Sequence, residues 1–110
     1  MSIPIFTAQL KKARFATNQA NARAAYAAAV AERLTNDTVT AGDYDVATGT
    51  FTAKTAATAG TVTVDATTKG QPGSWSVDDT DLASLGTAVY KENVGITMNA
   101  DGEITTYAFK

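Results

Sequence analysis

The 110-residue chain contains no histidine and no cysteine, and those two absences decide most of its chemistry. Histidine is the commonest general base and metal ligand near neutral pH, so Ser/His/Asp hydrolysis and most transition-metal sites are excluded. Without thiols there is no cysteine nucleophile, no thiolate zinc site and no disulfide. Ser2, Ser74, Ser76 and Ser84 therefore have no imidazole to activate them, and no lysine stands with them in a Ser-x-x-Lys pair. The glycines form neither a GxGxxG nor a GxxxxGK pattern, so no phosphate-cradling loop is encoded.

Carboxylates and the single tryptophan are the remaining candidates. Asp43 and Asp45 are a carboxylate pair of the kind that acts on glycosidic bonds, but side chains two apart on a strand share a face, and the expectation is one solvated face. Asp78, Asp79 and Asp81 offer the oxygen ligands that calcium takes. Their spacing is not that of an EF-hand loop, which needs a glycine at its sixth position, and capping of a short helix accounts for the same residues. Trp75 follows a Gly-Ser step and is expected to anchor the core rather than to meet a partner from the surface. The reading is of a non-enzymatic protein with no metal or cofactor.

These residues must be held by elements of two kinds. From Ile5 to Leu34 there is no glycine or proline, and alanine, leucine, glutamine, lysine and arginine dominate, which predicts one long helix. Pro4 suits its first turn. Thr35, Asn36 and Asp37 should end it, with Asn36 as a left-handed cap. Phe6, Leu10, Ala13, Thr17, Ala20, Ala24, Ala27, Ala31 and Leu34 recur at alternating spacings of four and three, so they share one stripe, large at its ends and small in its middle. The part of that stripe from Ala20 to Leu34 is expected to bury against the protein's own sheet.

Beyond Asp37 the period changes. Short β-branched runs at 38–40, 44–46, 50–53 and 61–64 are separated by Gly42, Gly49 and Gly60, which suits strands or extended segments. The tract from Ala47 to Thr68 is nearly all alanine, threonine, glycine and valine, and is expected at a sheet edge or as a surface loop. Lys69–Ser76 reads as a turn cluster, and Asp78–Leu85 as a short helical turn with an aspartate at its positive end. The clearest β signal is Val89–Met98 and Glu103–Phe109 around Asn99-Ala100-Asp101-Gly102, an antiparallel hairpin in which Gly102 supplies positive φ.

Length fits one domain, with residues 1–36 as helix and 37–110 as a β-rich head. Up to Leu34 there are five basic residues and one acid; the rest carries four lysines against ten acids. A net charge of −2 argues against a nucleic-acid binder, which needs a basic footprint. No apolar run approaches the roughly 20 residues that span a bilayer.

The segment Ile3-Pro4-Ile5-Phe6-Thr7-Ala8-Gln9-Leu10-Lys11-Lys12-Ala13-Arg14, continued by Ala16-Thr17-Asn18-Gln19-Ala20-Asn21-Ala22-Arg23-Ala24-Ala25-Tyr26, resembles the point in type IV pilins and pseudopilins where the apolar stem gives way to the amphipathic part of the helix. The likeness is to those of Gram-positive bacteria in particular. The closing hairpin, Ile96 to Phe109, is loosely similar to the last strands of the same group, and the middle of the chain matches nothing in it. The resemblance implies an α+β, pilin-like fold, with the long amino-terminal helix packed on an antiparallel sheet of three to four strands. It implies a structural subunit of an extracytoplasmic, cell-surface filament, a type IV pilus or a secretion-type pseudopilus. Such a subunit is anchored in the membrane only through an apolar stem, and its partners are sister subunits and the pilus assembly machinery. That leader and stem are expected upstream in the parent reading frame. The assembly interface is then expected at Ile3, Ile5, Phe6 and Leu10, protruding toward neighbours, with Lys11, Lys12 and Arg14 facing the acidic heads of other subunits. A stand-alone binding module of a cell surface or phage, adhesin-like and using the helix to oligomerise, is the alternative.

Overall fold

The computed structural model describes the backbone of residues 3–110 and the side chains from Thr7 onward. The first element, α1 (Ile3–Thr35, 33 residues), is unbroken and spans about 50 Å at 1.5 Å per residue. It accounts for most of the longest dimension of a molecule measuring 54 × 28 × 20 Å. No non-glycine residue has positive φ among the described residues, so Asn36 is not the left-handed cap the sequence suggested. The helix closes instead with the Asn36 amide on the Glu32 carbonyl at 3.0 Å. The Asn36 carboxamide then accepts from the Thr38 amide at 3.2 Å and the Thr38 hydroxyl at 2.6 Å, a local competition with helical bonding that asparagine favours.

Strands β1 (Ala41–Asp45), β2 (Thr50–Ala53), β3 (Val62–Asp65), β4 (Asn93–Met98) and β5 (Ile104–Phe109) form one antiparallel sheet in the order β2-β1-β4-β5-β3. The count is five rather than three to four, because the alanine- and threonine-rich tract supplies both outer strands as well as a loop between them. The β1–β2 turn is built by Asp45, whose carboxylate accepts from the amides of Ala47 and Thr48, and by Gly49 at φ 72°. Gly102, at φ 85°, completes the β4–β5 turn as expected.

The rows of side chains facing α1 are Phe51–Tyr44–Val94–Phe109–Val62 and Gly42–Ile96–Tyr107–Val64. α1 lies over β2, β1 and β4. Between it and the β5–β3 side run a short helix α2 (Ala66–Lys69) and 3-10 turns at Pro72–Ser74 and Thr80–Gly86, which bring Leu82, Leu85 and Trp75 into the core. Trp75 is 5% exposed, donates its indole N–H to the Gly70 carbonyl at 2.8 Å and meets Tyr107 edge-on with ring centroids 5.2 Å apart. The anchoring role expected of it is therefore met.

The buried face of the helix is not the expected one. Phe15, Asn18, Ala22, Ala25 and Ala29 are buried, whereas Ala20, Ala27, Ala31 and Leu34 are exposed and Ala24 half-buried. At 100° per residue the two stripes lie about 160° apart around the helix. Alanine occupies both, so composition does not choose between them. Phe15 and Asn18 choose, because the first fills the core and the second has three backbone partners waiting there.

Candidate assembly surface

The outward face of α1 is the stripe Leu10, Ala13, Thr17, Ala20, Ala24, Ala27, Ala31 and Leu34. Its spacing is a strict heptad alternation, the pattern by which helices pair with helices. The exposed large apolar residues of the described chain are Leu10 (36% exposed), Tyr26 and Leu34 (82%), all on this helix. Among the described residues the stripe is exposed except at Ala24, which is half-buried, while the opposite face packs on the core.

Of the expected interface residues, Ile3, Ile5 and Phe6 lie outside the residues whose side chains are described. Leu10, Lys11 and Lys12 are exposed and Arg14 is half-buried. Lys11 lies over Gly86: a β-carbon there would stand 2.6 Å from the lysine Cγ, so the glycine is what lets this part of the helix settle on the 3-10 turn. None of Lys11, Lys12 and Arg14 takes part in an ion pair among the described residues. The pairs that form there all belong to the head: Lys54 with Asp43, and Lys69 with Asp79 and Asp81.

The far end of α1 is fixed by Arg33, which donates to the Val39 carbonyl at 2.7 Å and the Ala100 carbonyl at 2.9 Å with its guanidinium against Gly102. The middle is fixed by Asn18. Its carboxamide donates to the carbonyls of Leu85 and Ala88, both at 2.7 Å, and accepts from the Tyr90 amide at 3.0 Å. Only a buried side chain with both donors and an acceptor could satisfy all three groups. Beside it, Gln19 donates to the carbonyls of Pro72 and Trp75.

The acidic candidates fall differently from the sequence reading. Asp43 is 6% exposed, not part of a solvated face with Asp45. Its carboxylate accepts from the Lys54 ammonium at 2.7 Å, the Thr58 amide at 2.8 Å and the Thr58 hydroxyl. Burial pushes its pKa up, but the lysine and the two Thr58 donors outweigh that and hold it below the ordinary carboxylate value. Asp79 caps the second 3-10 turn by accepting from the Asp81 amide, as expected of a short capped turn. Lys69, rather than a third carboxylate, sits between Asp79 and Asp81 at 2.9 and 2.8 Å, and its hydrogen bonds hold the Asp79 pKa down. Among the described residues no group of three acidic side chains is placed to hold a metal ion, and no helix is long and apolar enough to cross a membrane. Sequence reasoning missed the role of Asn18, and it named Asp43 only as half of a solvated carboxylate pair. Asn18 carried a signal, as an amide in phase with Phe15, Ala22 and Ala25.

No family model, curated protein or solved structure matches this chain.

Proposed function

We propose that this chain is a structural, non-enzymatic subunit of a helical cell-surface filament, of the type IV pilus or pseudopilus kind, with a pilin-like fold. The observation that carries the reading is the rod with two working faces. One face of α1 is clamped to its own sheet by apolar burial and by Asn18, while the other presents an uncovered heptad stripe from Leu10 to Leu34. A helix needs one face to build a monomer, and a second stripe at coiled-coil spacing has its use between molecules. The division of charge supports head-to-tail contact, since Lys11, Lys12 and Arg14, in no ion pair among the described residues, stand at one end and most of the acids in the head. In this reading the subunit waits in the membrane on an upstream apolar stem, outside the cytoplasm, until the assembly machinery draws it into the filament beside sister subunits.

The parent reading frame gives the first test: a leader with an apolar stem upstream is expected, and a second folded domain there selects the adhesin-like binding module instead. The second is made in that full-length protein. Ala20→Glu with Ala27→Glu alters only exposed positions, so the isolated domain should melt within about 0.5 kcal/mol of the parent, while filaments seen by electron microscopy disappear. Filaments of ordinary number and length would overturn the assignment of this face.

A further inference from the structure

The middle of the sheet's other face is crossed by the chain itself. Residues 54–61 leave β2 at one edge and enter β3 at the opposite edge, so this segment must cross β1, β4 and β5. Four inter-strand steps amount to about 19 Å, and eight extended residues reach about 27 Å. The crossing therefore takes up about seven-tenths of the segment's full reach. It carries no regular secondary structure.

Its path is marked by one row of residues running across all five strands: Thr52, Asp43, Gly95, Ala108 and Thr63, each opposite the next in register. All have small or short side chains, and the segment lies in the trough they make. A β-carbon on Gly95 would stand 3.0 Å from the Thr58 carbonyl oxygen and 3.1 Å from the Ala57 Cβ. One on Gly60 would stand 2.5 Å from the Phe109 carbonyl oxygen. Both glycines mark close backbone approach. At the far end the Thr61 amide donates to the Phe109 carbonyl at 2.8 Å.

What fastens the segment is polar. Most of residues 54–61 are exposed, with Ala57, Thr58 and Gly60 half-buried, so apolar burial contributes little. The segment's two ends are tied by the Lys54 amide on the Ala41 carbonyl at 2.9 Å and by Thr61 on the Phe109 carbonyl; between them the fastening is Asp43, which takes donors from the Lys54 ammonium and from Thr58 near the middle of the crossing. An open groove of about 580 Å³ adjoins it, lined among others by Asp43, Lys54, Lys91, Glu92 and Asn93.

We propose that residues 54–61 form a detachable strap, locked by the Asp43 carboxylate, that lifts from the outer face of the sheet as a unit while α1 and the inner face stay folded. Lifting joins the groove to the row Thr52–Asp43–Gly95–Ala108–Thr63 and bares a trough one extended chain wide, while the segment stays covalently joined to β2 and β3 at its two ends. The charged group that acts on the lock is Lys54 from the strap; Asp45 on β1, and Lys91 and Glu92 ahead of β4, line the groove beside it, and β5 and the rest of the strap bring no titratable side chain to it. The inference is independent of the filament reading, because it concerns the face away from α1.

Native-state hydrogen exchange on the whole chain tests it. In Asp43→Asn the carboxamide can still accept from the Thr58 amide but offers no charge to Lys54. The hydrogen-bonded amides of the strap, those of Lys54, Thr58 and Thr61, should exchange about tenfold faster, the equivalent of one charge-assisted hydrogen bond, while those of Ala22, Ala25, Ala29, Val94 and Ile96 change less than about twofold. Equal acceleration everywhere would mean that the strap is no separate unit, and no acceleration would mean that Asp43 is not its lock. Either result overturns the proposal. Thr58→Ala, which removes only the hydroxyl donor and leaves the buried charge its lysine, gives the same comparison should Asp43→Asn not fold.

Discussion

The two faces of this sheet solve one problem by different means. On the inner face, Val94, Ile96, Tyr107 and Phe109 are buried together with Phe15, Leu82, Leu85 and Trp75, and each large side chain contributes about 1.5–3 kcal/mol by leaving water. On the outer face the covering segment has small side chains apart from Lys54, and between the hydrogen bonds at its two ends its attachment depends on one buried carboxylate. Each side has a single polar keystone: Asn18 inside, Asp43 outside. Asn18 is neutral and acts on an element already held by apolar burial, so it selects which stripe of α1 faces the core. Asp43 is ionised and acts where little else binds. A keystone added to a core specifies, whereas a keystone that stands nearly alone is a latch.

The sharpest way to break this comparison is at the inner keystone. Asn18→Ala leaves the buried Leu85 carbonyl and the part-buried Ala88 carbonyl and Tyr90 amide without their partner. Each such group costs about 1–3 kcal/mol, and since backbone shifts relieve part of that, a loss of about 3 kcal/mol is expected in urea unfolding, with an unchanged m-value. Because the inner face carries the whole fold, the amides of α1, β4 and β5 should lose protection together, while the strap amides, which exchange by local lifting, change less. A loss under about 1 kcal/mol would show that apolar burial alone sets the helix's rotation.

How much of this was legible follows the same division. The unbroken helix could be read from thirty residues without glycine or proline, and the β4–β5 hairpin from Gly102 between two apolar runs. Local composition decides both. Which helix face is buried could not be read by period, because Ala13, Ala20, Ala27 and Ala31 repeat as regularly as Ala22, Ala25 and Ala29, and Leu10 and Leu34 gave the wrong stripe the larger ends. The choice rests on partners 67 to 72 residues away in sequence from Asn18. Asp43 hid for a related reason. A strand aspartate two residues from another has the pattern of a wet face, and only the return of the chain at Lys54 and Thr58, 11 and 15 residues on, turns it inward. The small residues that make the trough, Gly95 and Ala108, are legible as weak strand formers but not as a seat for another segment.

A middle-sized effect separates the keystones by pH. The folded-state pKa of Asp43 is depressed, so its contribution is complete above the ordinary carboxylate value and is lost as pH falls below about 4, through the folded pKa. Asn18 does not titrate. Exchange of the strap amides, corrected for intrinsic rates, should therefore rise on acidification while the amides of α1 between Asn18 and Ala29 hold, and Asp43→Asn should remove that pH dependence from the strap. Asp79 and Asp65, whose pKa values are also lowered, lie on other elements and give acid losses that Asp43→Asn leaves in place. A strap that responds to acid identically in the parent and in Asp43→Asn would assign the lock to some other group.

The smallest effect is the most local. In a strand, Gly→Ala ordinarily stabilises by about 0.4–1 kcal/mol, by restricting the unfolded chain. At Gly95 the new methyl would meet the Thr58 carbonyl at 3.0 Å and the Ala57 methyl at 3.1 Å, so the strap must give by a few tenths of an ångström. Its backbone is held by Asp43 on one side and by Thr61 on the other, which limits that movement. Gly95→Ala should therefore fail to show the usual gain and instead cost about 1 kcal/mol as an overpacked contact. That loss should appear in strap amides and in the Thr58 amide above all, with the inner face unchanged. If Gly95→Ala stabilises the chain, the strap is not seated in the trough, and the contrast between the two faces loses its structural basis.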